Sequence, residues 1–199
     1  MNDSKKTIKG ELLAPCLYHE HTGKTNTEKT LEAAASRAGE LDIQCILVAS
    51  TSGETGLMAA KLMAKRNVVV VTHSTGFTKP DHQQLRPELR MQIEAAGAQI
   101  LTCQHAFGGV GRAVRKKLGT YELEEIMAFT LRTFGEGTKV AIEIALMAAD
   151  AGLASTQIPC ISVGGTAEGA DTALVLLPAH AQNFFDLRVL EILAKPRLY

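Results

Sequence analysis

The chain has 199 residues, 46% of them hydrophobic and 21% charged, which is the balance of one folded domain. Its 21 lysines and arginines equal its 21 aspartates and glutamates, so the formal net charge is zero. A neutral chain lacks the positive field that attracts nucleic acid, and no apolar run is long enough to span a bilayer. The first residues carry no signal-peptide pattern. We therefore expect a single cytoplasmic domain over residues 1–199, with no nucleic-acid or membrane partner. The sequence leaves the oligomeric state open, and a homo-oligomer is one of the alternatives.

Short apolar runs alternate with helical patterns along the chain, which predicts an α/β fold with a mainly parallel sheet. Strands are predicted at residues 12–18, 45–49, 68–72, 99–103, 160–163 and 174–177. Helices are predicted at residues 26–41, 54–66, 87–96, 121–134 and 139–151. The four valines at residues 68–71 are typical of a strand that is covered on both faces. Residues 184–195 are ambiguous between helix and strand.

Cysteine and histidine spacing gives no sign of a metal site. The four cysteines are far apart in the sequence, with no C-x-x-C pair and no Cys/His pair at zinc spacing, so we expect buried free thiols and no bound metal. Among the six histidines, His19, His21 and His73 fall at predicted strand ends, where a titrating group would be useful. A surface or hydrogen-bonded structural role is the alternative for each. No serine lies in a G-x-S-x-G motif, so a hydrolase triad has no nucleophile here.

Four predicted strands end in loops rich in glycine, serine and threonine, at residues 50–56, 73–76, 105–111 and 164–169. The carboxyl ends of parallel strands meet at one edge of a sheet, and ligands bind there in open α/β folds. Glycines allow a ligand to approach the backbone, while hydroxyls and free helix amides suit phosphate oxygens. The loops therefore predict a ligand site at this edge; ordinary turn chemistry is the alternative.

The loop at residues 50–56 is the best candidate for binding a phosphate. It follows a predicted strand and opens a predicted helix, and it lacks the spacing and the lysine of a Walker A loop. Its candidate ligands are Ser50, Thr51, Ser52, Gly53 and Thr55.

Further candidates lie in or beside the other glycine-rich segments. They are Thr72, His73, Gly76, Gly108, Gly109, Gly137, Lys139, Gly164, Gly165 and Thr166. Lys139 follows a glycine pair at a predicted helix start, where it would meet an anionic ligand or simply be solvated. The segment at residues 109–114 has only a weak likeness to a dinucleotide fingerprint, because Val114 replaces the last small residue.

The stretch ILVASTSGETG at residues 46–56, followed by a helix and VVVVT at residues 68–72, resembles the C-terminal α/β domain of pyruvate kinase. More closely, the chain resembles a small family of stand-alone proteins with that fold. The shared pattern includes GKTNT at residues 23–27, THSTGF at residues 72–77, FGEG at residues 134–137 and GGTAEGADT at residues 164–172. The likeness spans nearly the whole chain.

This resemblance implies a three-layer α/β/α sandwich with a mainly parallel five-stranded sheet. It also implies flavin mononucleotide (FMN) as the ligand, with the phosphate on Thr51, Ser52, Gly53 and Thr55 and the ring beside the loops of the other strands. The catalytic barrel of pyruvate kinase is absent, so kinase activity is not implied. Two functions follow as hypotheses: a flavin-dependent oxidoreductase, and a non-enzymatic module that senses a phosphorylated metabolite.

Overall fold

The computed structural model describes residues 11–198. Its strands are β1 (Leu17–His19), β2 (Cys45–Ala49), β3 (Asn67–Thr72), β4 (Gln99–Thr102), β5 (Cys160–Gly164), β6 (Thr172–Leu177) and β7 (Arg188–Pro196). Its helices are α1 (Thr27–Glu40), α2 (Glu54–Leu62), α3 (Pro87–Ala95), α4 (Val110–Leu118), α5 (Leu123–Arg132) and α6 (Glu136–Asp150). Two short 3-10 helices cover Lys24–Asn26 and Ala181–Asp186. No helix within residues 11–198 has the length and apolar character needed to cross a membrane.

The strands form one seven-stranded mixed sheet in the order β1-β7-β6-β5-β2-β3-β4. The expectation of a five-stranded, mainly parallel sheet is therefore wrong: the sheet has seven strands, and both parallel and antiparallel pairs occur in it. β5, β2, β3 and β4 are parallel neighbours, whereas β6 runs antiparallel to both β5 and β7. The ambiguous segment at residues 184–195 supplies most of β7, and β1 pairs with it in parallel.

The connection between β5 and β6 explains the change of direction. Only residues 165–171 join these strands. A parallel neighbour would require a crossover of a dozen or more residues, so this short loop can only return the chain antiparallel. The parallel half of the sheet, β5-β2-β3-β4, is therefore the half whose carboxyl ends lie together.

Side chains that alternate along the central strands enter two separate hydrophobic clusters, one on each face of the sheet. Val68 and Val70 pack with residues of α1, α2 and α3, whereas Val69 and Val71 pack with residues of α5 and α6. All four valines are buried, and β3 lies between β2 and β4, as the valine run predicts. The helix α4, which the sequence analysis does not predict, covers the basic stretch at residues 112–117 and has no buried residue.

Gly56 allows α2 to lie close to the sheet. A β-carbon at this position would lie 2.5 Å and 3.0 Å from the two methyl carbons of Val70. Val70 is fully buried in the sheet, so it has no space to move away. The start of α2, and with it the loop at residues 50–56, is held against β3 by this contact.

We expect Gly56→Ala to lower the free energy of unfolding by about 1–3 kcal/mol, the usual cost of overpacking a core. Gly39→Ala in α1 is the matched control, because the nearest atom to its new β-carbon is the end of the Arg66 side chain at 3.8 Å. That variant gains only helix propensity and should be more stable by up to about 1 kcal/mol. Urea denaturation of both variants measures the difference; equal effects would contradict the close contact.

Candidate functional site

A cavity of about 890 Å³ lies at the carboxyl edge of the parallel strands. Its walls include the ends of β2 and β3, the loops that follow β4 and β5, and the first turns of α1, α2 and α6. The volume is within the range of small-molecule sites. The starts of α2 and α6 give it amide donors, whereas the Thr27 amide at the start of α1 already donates to the carbonyl of Lys24. The positive dipole ends of all three helices favour an anion.

The structure brings about half of the sequence candidates to this cavity. Those that line it are Ser50, Thr51, Ser52, Thr55, Thr72, His73, Lys139 and Gly165. The candidates that are not part of its lining are Gly53, Gly76, Gly108, Gly109, Gly137, Gly164 and Thr166.

Ser50 shapes the loop that begins α2. Its hydroxyl accepts a hydrogen bond from the Gly56 amide at 3.0 Å, and its own amide donates to the carbonyl of Val71 at 2.9 Å. Ser50 thus caps the third amide of the helix from outside it, while the amides of Glu54 and Thr55 have no intrahelical partner. The hydroxyl side chains of Thr51, Ser52 and Thr55 line the cavity beside these amides.

Gly53, a predicted phosphate ligand, is required by the packing of its own loop. Its φ of 105° lies in the region that favours glycine, and a β-carbon would come within 2.7 Å of Leu85 and 2.9 Å of Leu89. Close packing beside α3 and the positive φ therefore require glycine at this position, and the prediction that it binds a phosphate stays a prediction. Gly137 and Gly164 likewise adjoin protein atoms: a β-carbon on Gly137 would lie 2.7 Å from Oδ1 of Asp171.

Asp171 joins two loops at the rim of the cavity. Its Oδ2 accepts hydrogen bonds from the amide of Gly23 at 3.2 Å and from that of Thr166 at 3.1 Å. Its Oδ1 accepts one from the Thr172 hydroxyl at 2.9 Å. The side chain is fully buried. The loop after β5 and the loop before α1 are therefore fixed to each other by one carboxylate.

Two ion pairs at the rim converge on Glu54, in the first turn of α2. Lys24 lies 2.7 Å from one of its carboxylate oxygens and Arg86 lies 3.1 Å from the other. The Lys24 hydrogen bond and charge, with a smaller contribution from Arg86, lower the pKa of Glu54. These exposed pairs neutralise the acidic side chain beside the candidate phosphate position.

The floor of the cavity holds a buried ionic cluster. Lys139 and Glu143, four residues apart on α6, are only 6% and 3% exposed and form a close ion pair. The other oxygen of Glu143 accepts the Phe107 amide at 3.0 Å, and Nδ1 of His105 lies 3.6 Å from the oxygen that Lys139 contacts. Lys139 is therefore a buried, paired lysine and not the solvated one that the sequence allows as an alternative.

Glu143 keeps its charge despite its burial. Desolvation alone would raise its pKa, but the neighbouring His105 and Lys139 outweigh that effect and hold the pKa at about 2. The carboxylate is thus ionised throughout the physiological pH range.

Three ring side chains lie together above this cluster. The ring centroid of His73 is 4.1 Å from that of Phe77 and 5.3 Å from that of His105, and Arg112 lies 4.7 Å from the Phe77 centroid. Burial is the main cause that lowers the pKa of His73, although its hydrogen bond to Gln84 at 2.9 Å opposes the shift. All five of these side chains line the cavity, so one part of its wall is aromatic and polarisable.

The other two histidines that fall at a predicted strand end do not line the cavity. His19 is buried and shares a hydrogen bond of 2.9 Å with the Thr30 hydroxyl, and burial is the main cause that lowers its pKa. His21 is exposed beside Glu20. Within residues 11–198, no three histidine, cysteine, aspartate or glutamate side chains form a group that could hold a metal ion.

Sequence reasoning missed several side chains of the cavity. They include Lys24, Glu54, Phe77, His105, Arg112, Arg132, Glu136 and Glu143. Two of them carry a usable signal. His105 opens a loop already assigned to the ligand edge, and Glu143 follows Lys139 by one helical turn, so the two α6 side chains share a face.

These features define an open α/β domain with a ligand-sized cavity at the carboxyl edge of its parallel strands. A family model described as the pyruvate kinase alpha/beta domain matches residues 28–176. The match covers most of the chain, which therefore belongs to this family.

Solved structures give more distant likenesses. Pyruvate kinase of Cryptosporidium parvum, solved in complex with ADP, is 14% identical at a TM-score of 0.39, over 75% of this chain and 22% of that one. An O-ureido-L-serine synthase is 21% identical at a TM-score of 0.30, over 50% of this chain and 31% of that one. A hydrogen sulfide-producing enzyme from Fusobacterium nucleatum is 19% identical at a TM-score of 0.30, over 48% of this chain and 29% of that one. The chain thus spans less than a third of each of these proteins, and likenesses at these scores carry no argument about function.

We expect Glu143→Gln to lower the free energy of unfolding at pH 7 by about 3 kcal/mol. This is the free energy that corresponds to lowering the pKa of Glu143 from the ordinary 4.5 in the unfolded chain to about 2 in the folded protein. Because the folded pKa is lowered, this stability is present above the unfolded pKa and is lost as the pH falls. The gap between wild type and variant should therefore shrink from about pH 5 downward and close near pH 2. Chemical denaturation at a series of pH values measures the gap.

Glu94→Gln is the control for that experiment, because Glu94 also follows its cation, Arg90, by four residues but is largely exposed. Its effect should stay below about 1 kcal/mol. A pH-independent gap for Glu143→Gln would contradict the ionised, buried carboxylate.

Proposed function

We propose that this protein binds a phosphorylated small molecule in the cavity, and that the ligand is FMN. The observation that carries the proposal is the convergence of the α1, α2 and α6 N-termini on one cavity at the carboxyl ends of parallel strands. Anions bind at helix ends because the dipole is positive there and, as at the start of α2, the first amides lack intrahelical partners.

The phosphate is assigned to the start of α2. Thr51, Ser52 and Thr55 supply hydroxyl donors, and the first amides of the helix lie beside them. The charge of Lys24 is offset by its exposed ion pair with Glu54. Binding there depends on amide and hydroxyl geometry more than on lysine charge.

The residues present also fit the rest of FMN. A cavity of about 890 Å³ has room for a three-ring system and a ribityl chain. His73, Phe77 and His105 offer an aromatic surface for a flat ring, and Met147 adds a polarisable apolar contact. When bound, the flavin would supply redox chemistry, and the protein would supply position and electrostatics. A cavity that fits a flavin favours an oxidoreductase over the alternative of a non-enzymatic sensor of a phosphorylated metabolite.

The visible absorption spectrum of the purified protein distinguishes the two functions. A bound flavin gives a yellow protein whose colour remains through gel filtration and is released by denaturation. A colourless protein that binds a phosphorylated sugar or nucleotide, but not FMN, would favour the sensor.

We expect the double variant Ser52→Ala/Thr55→Ala to bind FMN roughly ten- to a hundredfold more weakly than wild type. Two lost hydrogen bonds at about 0.5–1.5 kcal/mol each account for this range. A fluorescence titration with FMN measures the affinity, with riboflavin as the ligand that lacks a phosphate.

The control is Thr130→Ala/Thr133→Ala, which removes two hydroxyls that, among residues 11–198, bond only to backbone carbonyls of α5. It should leave FMN binding unchanged. The phosphate assignment is wrong if the Ser52/Thr55 variant binds like wild type, or if riboflavin binds wild type as tightly as FMN does.

A further inference from the structure

Arg112 is a cavity residue whose charge no carboxylate offsets. It lies in the first turn of α4, is half-buried and lines the cavity, with its guanidinium carbon 4.7 Å from the centroid of the Phe77 ring. Among residues 11–198, the guanidinium has no carboxylate within ion-pair distance and no hydrogen-bond acceptor. Its N–H donors are therefore available to a group that enters the cavity.

The other positive side chains of the cavity are already paired. Within the described residues, four lysines and arginines line it, and three of them contact a carboxylate that also lines it. These pairs are Lys24 with Glu54, Arg132 with Glu136, and Lys139 with Glu143. An anion that enters the cavity thus meets Arg112 as the cation that is not yet neutralised.

Two further carboxylates line the cavity on the side of α1. Glu28 lies in the first turn of that helix, and Glu168 precedes Gly169, where a β-carbon would come within 2.7 Å of the Lys24 backbone. Both side chains are exposed to solvent, which screens their charges. They leave the α4 side of the cavity as the side that favours an anion.

The stability of α4 does not explain an arginine at this position. The positive end of a helix dipole disfavours a cation in the first turn, and this turn of α4 contains no acidic residue. The other basic residues of the helix lie in its last turn, where the dipole favours them. The cation–π contact with Phe77 holds Arg112 at the cavity wall instead.

Gly108 leaves the space that the guanidinium occupies. A β-carbon at this position would lie 2.6 Å from a terminal nitrogen of Arg112. The sequence predicts Gly108 as a ligand residue, and the structure places it outside the cavity lining. Its contact with Arg112 gives it an indirect influence on the cavity, because any side chain here would displace the guanidinium.

We propose that Arg112 is an anion-binding residue of the cavity and that its guanidinium binds phosphate oxygens of the ligand. The proposal rests on the proposed function for the ligand class, and it adds a cation to the amide and hydroxyl donors at the start of α2. The planar guanidinium can donate two parallel hydrogen bonds to two oxygens of one phosphate. Turning it toward a ligand breaks no hydrogen bond within residues 11–198, since its contact there is the Phe77 ring.

The first experiment titrates the whole chain, labelled with ¹⁵N-arginine, with inorganic phosphate and follows the Nε–H signals by NMR. The Arg112 signal is identified by its absence in Arg112→Gln. We expect it to shift to saturation with phosphate and to stay in place with sodium chloride at equal ionic strength. A signal that phosphate does not move, or that chloride moves as far, would overturn the proposal.

The second experiment measures the affinity for FMN and for riboflavin by fluorescence titration. We expect Arg112→Gln to bind FMN roughly ten- to a hundredfold more weakly than wild type, the range for lost hydrogen bonds to a charged group. It should bind riboflavin as wild type does. Added sodium chloride should weaken FMN binding to wild type more than to the variant, because the variant lacks the charge that salt screens.

Two other variants separate the guanidinium from the general charge of α4. Gly108→Ala keeps Arg112 but displaces its guanidinium, so it should also weaken FMN binding. Lys116→Gln is the matched control, because it removes one positive charge from an exposed residue of α4 that does not line the cavity. This control should bind FMN as wild type does. Urea unfolding shows whether each variant is folded.

The outcomes separate the two proposals. Unchanged FMN affinity in folded Arg112→Gln, an equal loss of affinity for riboflavin, or an equal loss in Lys116→Gln would overturn the role of Arg112 while leaving FMN binding intact. If wild type does not bind FMN, the proposed ligand is wrong, and the titration with inorganic phosphate decides the role of Arg112 by itself.

Discussion

The site depends on the close contact between the first two turns of α6 and strand β5. A β-carbon on Gly164 would lie 2.9 Å from the backbone nitrogen of Ala141 and 3.1 Å from the β-carbon of Val140. Two residues earlier on β5, the buried hydroxyl of Ser162 donates a hydrogen bond to the carbonyl of Ala141 at 2.7 Å. Because backbone meets backbone here, α6 has little freedom to slide along the sheet. Every side chain that α6 presents to the cavity is placed by this contact.

The charged side chains that α6 presents are not explained by stability. Removing two ions from water costs several kcal/mol each, and a buried pair repays this only with good geometry and further hydrogen bonds. Apolar pairs of similar size often stabilise such a contact as well as a buried ion pair does. Lys139 and Glu143 instead lie where the cavity floor meets His105. At this floor they place a buried ion pair in the wall of the cavity.

The sequence predicts the parallel half of the fold well because its signals are local. Helix α1 and strand β3 are found within one residue of their predicted ends, since an amphipathic pattern and a run of valines are unambiguous. The antiparallel half is harder. β1 has only three residues, and β7 is half exposed and pairs with β6 through register shifts, so neither shows a clean alternation. The patterns therefore predict a strand at residues 12–18 in place of Leu17–His19 and leave β7 undecided, while the count of five strands came from the family resemblance.

The distinction between local and distant sequence signals applies to the site as well. The loop at residues 50–56 is predictable, because hydroxyl residues follow a buried strand directly. Gly53, Gly137 and Gly164 cannot be assigned from the sequence, because glycine serves ligand approach and tight packing equally and only the neighbouring atoms distinguish them. His105 and Glu143 come together across 38 residues of chain, a separation at which local patterns carry no information.

The two ends of the cavity make different demands on a ligand, and together they restrict its class. At the start of α2, Glu54 is neutralised by Lys24 and Arg86, so the amides and hydroxyls there present donors to an anion without a free ammonium group. At the floor, the buried pair of Lys139 and Glu143 forms the opposite wall beside the ring of His105. Under the proposed function, a phosphate ester would therefore meet amide and hydroxyl donors at one end of the cavity and this buried ionic cluster at the other.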